Sequence, residues 1–268
     1  MPPRPAAPPG DGPASLDDAA LAADLATEAG RRLLEVRERI ARGECTAAEA
    51  KDAGDRESHD FLVAALAAAR PGDAVLSEEG ADDPARLDAE RVWVVDPLDG
   101  TREFGEPPRT DWAVHVALVV AHEVAASAVA LPGAGLTLRT DPAAPPPPPM
   151  PERPRVVVSR TRPPALAEAV ARILGADLVP MGSAGAKATA VVRGEADVYV
   201  HGGGQYEWDS AAPVGVALAA GCHASRLDGS ALRYNQPNPW LPDLVVCRAE
   251  LAGRVLDAIA EASRDLDE

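Results

Sequence analysis

The chain has 268 residues, of which 46% are hydrophobic and 25% are charged, as in a globular protein with one large or two modest cores. Its 42 acidic residues outnumber its 26 lysines and arginines, and the net charge of −16 argues against a nucleic-acid partner. The three cysteines (Cys45, Cys222 and Cys247) are odd in number and far apart in sequence, which argues against a disulfide framework. Neither a signal peptide nor a membrane span is evident. We therefore expect a cytoplasmic protein with reduced thiols and no membrane partner.

The first half predicts helices packed on an antiparallel sheet. Residues 1–14 are rich in proline and glycine and predict a disordered arm. Apolar residues spaced three and four apart predict a helix over 15–42, and a second helix is predicted over 57–69. Short turns between the later apolar runs indicate antiparallel pairing. The strands are predicted at 74–76, 92–95, 112–120, 124–131 and 136–139.

Five consecutive prolines at 145–149 make residues 141–154 the clearest break in composition, and we interpret this segment as a linker. Beyond it, strands and helices alternate, which predicts an α/β half. The predicted organisation is thus an arm at 1–14, an α+β metal-binding domain at 15–140, the linker, and an α/β substrate-binding domain at 155–268. The strands of this second half are predicted at 155–159, 177–180, 197–200 and 244–247, and its helices at 164–174, 183–193, 209–220 and from 249 onward.

The most informative stretch is Val92 to Thr101, in which an apolar run ends in two aspartates, Asp96 and Asp99. Pro97 lacks a backbone N–H, so the strand is predicted to end there. The glycine that follows Asp99 permits a tight turn. Two carboxylates that face one point are suited to a hard cation such as Mg2+. Taken alone, the motif is more typical of a solvated turn with a helix cap, but its surroundings favour the cation site.

Further acids stand at the ends of other elements. Glu78 follows the strand at 74–76, so adjacent strands place it on the same rim of the sheet as Asp96. Asp209 lies in the run Glu-Trp-Asp-Ser-Ala-Ala, and Asp55 precedes the predicted second helix. Each has a structural alternative, since Glu78 suits a solvated turn, whereas Asp209 and Asp55 suit helix caps.

The motifs occur together in an order that is typical of one family. Glu-Glu after a strand, Asp-Pro-Leu-Asp-Gly-Thr and Trp-Asp-Ser-Ala-Ala resemble the signatures of the inositol monophosphatase superfamily of Mg2+-dependent, lithium-sensitive phosphatases, over roughly residues 18–262. The run Asp-Pro-Leu-Asp-Gly-Thr-Arg-Glu-Phe and the later Gly-Ser…Lys187 segment are most similar to the 3'(2'),5'-bisphosphate nucleotidase, CysQ-like branch of sulfur assimilation. The resemblance implies the layered αβαβα sandwich of the sugar-phosphatase type.

The resemblance also implies a role for each matching residue. Two or three Mg2+ ions would be held by protein oxygens, with Asp96 bridging two of them. Asp55 and Thr101, together with the metal ligand Glu78, would form the catalytic group, in which the first two orient and deprotonate the attacking water. Backbone N–H groups of Gly100 and Thr101 would contact the scissile phosphate. The implied metal ligands are Glu78, Asp96, the carbonyl of Leu98, Asp99 and Asp209.

The implied substrate contacts lie mainly in the second half, at Ser183, Lys187 and His201, with Asp209 shared between metal and substrate. His201 stands where the nucleotidases carry an arginine, which weakens the case for a permanent cation at the second phosphate. The basic residues that we consider as substitutes for this arginine are Arg160, Arg162 and Arg233.

These features predict a phosphatase that removes the 3'-phosphate of adenosine 3',5'-bisphosphate to give AMP, with the 3'-phosphoadenosine sulfate donor as a second substrate. The alternatives are an inositol monophosphate or fructose-1,6-bisphosphate phosphatase that uses the same metals, and a non-catalytic metal- or nucleotide-binding module. The expected partner is a small phosphorylated nucleotide. The sequence does not fix the oligomeric state, and a homodimer is one alternative.

Overall fold

The computed structural model describes residues 14–267, so the predicted arm lies outside the described part except for its last residue, where the first helix begins. The elements of the first half are α1 (Ala14–Ala41), α2 (Ala47–Ala69), β1 (Ala74–Ser77), β2 (Arg91–Asp99), α3 (Thr101–Phe104), β3 (Ala113–Val120), β4 (Glu123–Leu131) and β5 (Leu136–Arg139). Those of the second half are β6 (Arg155–Ser159), α4 (Ala165–Leu174), β7 (Asp177–Met181), α5 (Ala184–Val192), β8 (Val198–His201), β9 (Gln205–Tyr206), α6 (Glu207–Ala219), β10 (His223–Ser225), β11 (Trp240–Leu241), β12 (Leu244–Cys247) and α7 (Ala252–Asp267).

The elements form five layers, which confirms the predicted αβαβα sandwich. Helices α1 and α2 cover one face of the first sheet, α5 and α6 fill the space between the two sheets, and α4 and α7 cover the outer face of the second sheet. Strand alternation explains the layering, because Trp93 and Val95 of β2 enter the outer core whereas Val92 and Val94 enter the central one.

The first sheet has the order β1-β2-β3-β4-β5. Pairing is antiparallel from β2 to β5, as predicted, but β1 runs parallel to β2, so the expectation of a wholly antiparallel sheet was wrong at this edge. The parallel pair places Ser77 opposite Val95. The residues that follow these two, Glu78 and Asp96, therefore lie side by side at the same end of the sheet.

Helix α2 begins ten residues before the predicted start, at Ala47. Thr46 caps it, since the Thr46 hydroxyl accepts from the Glu49 N–H at 3.2 Å and the Glu49 carboxylate accepts from the Thr46 N–H at 2.8 Å. Gly54 lies inside this helix, at a close contact with α1 where a Cβ would come within 3.1 Å of Leu33. Asp55 is consequently a residue of the helix interior, and the helix-cap interpretation was wrong.

Strand β2 also continues beyond the predicted end. Pro97 lies inside the strand at a register shift between Asp96 and Asp99, where a missing backbone donor is tolerated. The Pro97 carbonyl accepts a hydrogen bond from the Ser58 hydroxyl at 2.7 Å, which ties the bulge to α2. Helix α6 begins at Glu207, so Asp209 lies in its first turn rather than at its cap position.

The second sheet has the order β10-β12-β8-β6-β7 and is mixed, with β6 parallel to both β7 and β8. One segment of the predicted linker packs on the second half, because a Cβ at Gly194 would lie 2.5 Å from the Pro148 ring. The division of the chain at residues 141–154 stays a prediction. Within residues 14–267, no helix combines the length and apolarity that crossing a bilayer requires.

Asp197 stabilises one end of the second sheet. Its fully buried carboxylate accepts from Arg155 Nε at 3.0 Å and from Arg248 Nε at 2.6 Å, and the Arg248 side chain is itself only 3% exposed. These contacts join β6, the start of β8 and the end of β12 at one buried point.

We predict that Asp197→Ala lowers the free energy of unfolding by about 3–5 kcal/mol, because it leaves a buried guanidinium without its partner. Chemical denaturation is the measurement. Asp177→Ala, which removes an exposed ion pair with Arg153 from the same sheet, is the control and should change the free energy of unfolding by less than about 1 kcal/mol. Equal effects of the two substitutions would contradict this assignment.

Candidate active site

The acids that the sequence singled out converge where the first sheet meets α5 and α6. Asp96 is the most deeply placed, with only 1% of its surface exposed, and the Leu98 N–H donates to its Oδ1 at 3.1 Å. Burial and the charges of Glu78, Asp99 and Asp209 raise its pKa well above the usual range. The neutral form of Asp96 is therefore favoured in the metal-free protein.

Glu78 lies at the exposed rim of the cluster and shares a hydrogen bond with Asp96. Desolvation and the nearby acids raise the pKa of Glu78 to about 7, although this hydrogen bond opposes the shift. Asp209 approaches from α6, where its Oδ2 accepts from the Tyr206 N–H at 2.7 Å. Burial and the charge of Asp99 raise the pKa of Asp209 to about 6.

Asp99 differs from the other acids, because its carboxylate reaches across to the N-terminus of α5. It accepts from the Ser183 hydroxyl at 2.5 Å, from the Gly185 N–H at 2.6 Å and from the Ala184 N–H at 3.1 Å. Burial alone would raise the pKa of Asp99, but the adjacent His115, the charge of Lys187 and the Ser183 hydroxyl hold it below its usual range. Asp99 is thus the acid of the cluster that most strongly favours the charged form, and it joins the two halves of the molecule.

The turn between β2 and α3 allows this contact. Gly100 has a φ of 85°, and a Cβ there would lie 3.0 Å from the Cβ of Ser183. Ser183, whose φ is 51°, caps α5 by accepting from the Ala186 N–H at 2.9 Å. A side chain at position 100 would separate the two halves, so both backbone positions serve the close approach.

The predicted water-activating pair also meets. Asp55 projects from α2 and interacts with the Thr101 side chain, while the Thr101 hydroxyl donates to the Leu98 carbonyl at 3.1 Å. Burial and the charges of Glu79 and Asp52 raise the pKa of Asp55 to about 7. A carboxyl group of this pKa exchanges a proton readily at neutral pH.

A cavity of about 290 Å3 opens beside the cluster. Lys187 is buried in its wall, and its Nζ donates to the Ser183 carbonyl at 2.7 Å and lies 5.4 Å from the centre of the Tyr199 ring. Burial lowers the pKa of Lys187, and the nearby charge of Asp99 opposes this shift. The residues that line the cavity are Asp99, Ser159, Pro164, Ser183, Ala184, Lys187, Tyr199, Val200, His201, Gly204, Gln205, Tyr206 and Asp209.

His201 lies in the cavity wall, with its Nε2 3.0 Å from the Gly204 carbonyl. Burial lowers the pKa of His201, which favours the neutral ring. Two of the three arginines considered as substitutes are paired elsewhere, since Arg160 binds Glu103 at 2.8 Å and Arg233 lies 3.8 Å from a glutamate on β4. Arg162 is exposed on the loop after β6. Lys187 is therefore the one lysine or arginine among the described residues that line the cavity.

His115 belongs to this site and was missed by the sequence analysis. It is fully buried on β3, with its Nδ1 3.0 Å from the Trp208 carbonyl and its Nε2 3.2 Å from Asp99 Oδ2. Gly185 leaves room for the ring, because a Cβ there would lie 2.0 Å from Nε2. The available signal was a single titratable residue at an inward position of an otherwise apolar strand.

The donor set fits a hard cation. Glu78, Asp96 and Asp209 offer carboxylate oxygens that repel one another, and Asp96, Asp99 and His115 each bring a ligand atom within 4.8 Å of the others. Oxygen-rich sites of this kind suit Mg2+, and positive charge among the acids would offset the burial and the negative charges that raise their pKa values.

Five alternating layers, with carboxylates at the junction of the two halves, define a protein of the sugar-phosphatase fold class. A family model described as the inositol monophosphatase family matches residues 17–141 and 152–267. The gap between the two matched segments falls within the proline-rich segment.

A 3'-phosphoadenosine 5'-phosphate phosphatase of Mycobacterium leprae is 55% identical over 260 residues, covering 92% of this chain and 95% of the relative. The 3'(2'),5'-bisphosphate nucleotidase CysQ of Escherichia coli is 29% identical over 210 residues, covering 70% and 81% of the two chains. The crystal structure of CysQ from Bacteroides thetaiotaomicron superposes with a TM-score of 0.73 at 26% identity, covering 87% and 97%. The chain belongs to the inositol monophosphatase family, whose members depend on metal ions.

The raised pKa values generate a prediction for the metal-free protein. A carboxyl group whose pKa is higher in the folded than in the unfolded state stabilises the fold below its unfolded pKa of about 4, and this contribution is lost as the pH rises through the folded pKa. We therefore expect Asp96→Asn to raise the Tm of the metal-free protein by about 2–4 °C at pH 8 and to leave it nearly unchanged at pH 5.

Calorimetry in the presence of a chelator checks this expectation. Asp60→Asn makes the same chemical change at an exposed position of α2. It removes no buried carboxyl group and should show no such pH dependence. A loss of stability in Asp96→Asn at pH 8 would show that the carboxylate is favourable without metal.

Proposed function

We propose that the protein is a Mg2+-dependent phosphatase that converts adenosine 3',5'-bisphosphate to AMP and inorganic phosphate. The observation that carries the proposal is that two acids of the cluster, Asp99 and Asp209, line a cavity whose wall also contains the buried Lys187. Relatives named for this reaction extend along almost the whole chain, which supports the nucleotide as substrate. The 3'-phosphoadenosine sulfate donor, with the corresponding loss of its 3'-phosphate, is the second proposed substrate.

Two or three Mg2+ ions would be held by Glu78, Asp96, Asp99, Asp209 and the Leu98 carbonyl. When bound, they supply the positive charge that a phosphate dianion and its leaving oxygen require. Asp99 would therefore have two roles, since its short contacts orient α5 and its carboxylate also faces the proposed metal site.

The remaining work falls to groups of the chain itself. Asp55 would accept the proton of the attacking water, and Thr101 would hold that water in line with the phosphorus atom. The N–H groups of Gly100 and Thr101 would bind oxygens of the scissile phosphate. Ser183, His201 and Lys187 would contact the rest of the substrate, and the ammonium group of Lys187 would face its second phosphate.

Inositol monophosphate and fructose-1,6-bisphosphate remain the alternative substrates, because the same metal site serves phosphomonoesters in general. A cytoplasmic location and the absence of nucleic-acid and membrane partners remain predictions, and a homodimer remains an open alternative. A non-catalytic binding module is less favoured, because binding alone does not require the pairing of Asp55 with Thr101.

We expect phosphate release from adenosine 3',5'-bisphosphate to require Mg2+ and to proceed with a kcat/KM at least tenfold above that for inositol 1-phosphate or fructose-1,6-bisphosphate. Side-by-side steady-state assays, with and without a chelator, make the comparison. A tenfold preference for inositol phosphate would show that the assignment to the nucleotidase branch is wrong. Turnover in the presence of the chelator would show that the reaction does not require a metal ion.

We expect Asp55→Asn to lower kcat by about 10²- to 10⁴-fold, because the amide cannot accept a proton. Nucleotide and Mg2+ should still bind, which calorimetry measures directly. Asp60→Asn is the matched control, since Asp60 is an exposed residue of the same helix, five positions beyond Asp55, and its kcat should stay close to wild type. Full activity in Asp55→Asn would exclude Asp55 as the base.

A further inference from the structure

The two most exposed aromatic side chains of the protein lie next to each other beside the cavity. The chain has only two phenylalanines, three tyrosines and four tryptophans, all within the described residues, and most of them are buried or half-buried. Tyr206 and Trp240 are 45% and 50% exposed, and their Cα atoms are paired across the antiparallel strands β9 and β11. Exposed rings beside a polar cavity are typical of a ligand surface.

Tyr206 is held rigidly with one face available. Its ring stacks on Trp208 with centroids 4.7 Å apart and planes 7° apart, so its exposed surface lies on the opposite face and the edges. Tyr206 itself lines the cavity, and its N–H is fixed by the hydrogen bond to Asp209. A ring that is immobilised before binding loses little conformational entropy when a second flat ring covers it.

Trp240 borders the same wall. A Cβ at Gly204 would lie 2.8 Å from Trp240 Nε1, so the indole covers the backbone of a residue that lines the cavity. The segment from His201 to Tyr206 thus connects the phosphate side of the cavity, at Lys187, with the two exposed rings.

The charges of the cavity make such a surface important. Lys187 is the single lysine or arginine among its described lining residues, and the His201 ring is buried in the wall beside the Gly204 carbonyl, where burial favours its neutral form. One cation binds a bisphosphate less tightly than a cationic clamp would. The proposed metal ions serve every phosphomonoester alike, so a preference for nucleotides requires contacts with another part of the ligand.

We infer that Tyr206, supported by Trp208 and bordered by Trp240, is a stacking platform for the purine base of the substrate, and that this platform separates nucleotides from other phosphomonoesters. The inference rests on the proposed function, because it assigns the base-binding part of the same site. Base–aromatic stacking of this kind changes affinity by about tenfold or more when the ring is removed.

The test is calorimetric binding of AMP and of ribose 5-phosphate to the full chain in the presence of Mg2+. The variants are Tyr206→Leu, which keeps the bulk and the backbone N–H but removes the ring, and Tyr206→Phe, which keeps the ring. Leu218→Ala, at a 51% exposed apolar position near the other end of α6, is the control.

We expect Tyr206→Leu to weaken AMP at least tenfold and ribose 5-phosphate less than twofold, and Tyr206→Phe and Leu218→Ala to bind both ligands as the wild type does. Unchanged AMP affinity in Tyr206→Leu, or an equal loss for both ligands, would overturn the inference. Binding does not require turnover, so the two proposals fail separately. If the bisphosphate is not hydrolysed while AMP binding depends on the ring, the proposed function fails and the platform stands.

Discussion

The candidate site depends on one contact between the halves of the molecule, the carboxylate of Asp99 bound at the N-terminus of α5. Strand β2 delivers this side chain from the first sheet, and Ser183 and Gly185 receive it at the start of a helix that packs between the sheets. The contact is short and buried, and it joins the negative charge of the carboxylate to the N–H groups at the positive end of the helix dipole. It sets the distance between the acid cluster and the cavity, because both are built on the elements that it joins.

The other acids of the cluster are held in the opposite electrostatic situation. Glu78, Asp96 and Asp209 are brought together by the parallel pairing of β1 with β2 and by the first turn of α6, although the charges of Glu78 and Asp209 raise the pKa of Asp96 and the charge of Asp209 raises that of Glu78. Such an arrangement destabilises the metal-free fold and is typical of sites that are completed by a bound ion. The cost in stability and the proposed function therefore have the same physical origin.

Much of the fold follows from local patterns. The period of two in β3 and the prolines and glycines that end elements predicted most strands, because these signals act within a few residues. The layered sandwich was implied by the family resemblance. The predicted start of α2 and the predicted end of β2 were wrong, because tertiary packing overrides local preference at both points. Gly54 allows a close contact with α1 from inside α2, and Pro97 is tolerated in a strand that bulges at that point.

The candidate site shows the same division. The sequence placed the acids at strand ends, where a short motif fixes their backbone, and the family resemblance supplied their proposed roles. It missed His115, whose place beside Asp99 depends on the missing side chain of Gly185 seventy residues further along the chain. It also gave no weight to Tyr206, because exposure and stacking are properties of the folded surface rather than of a local pattern.

The proposed function requires that the acid cluster and the adjacent cavity form one metal-dependent phosphatase centre. Its most direct test is a crystal structure of the protein with Mn2+ in place of Mg2+ and with AMP, using the anomalous signal of manganese. We predict manganese peaks among Glu78, Asp96 and Asp209, with the nucleotide phosphate in the cavity on the side of Lys187. Manganese bound elsewhere, or AMP bound away from this cavity, would contradict the claim.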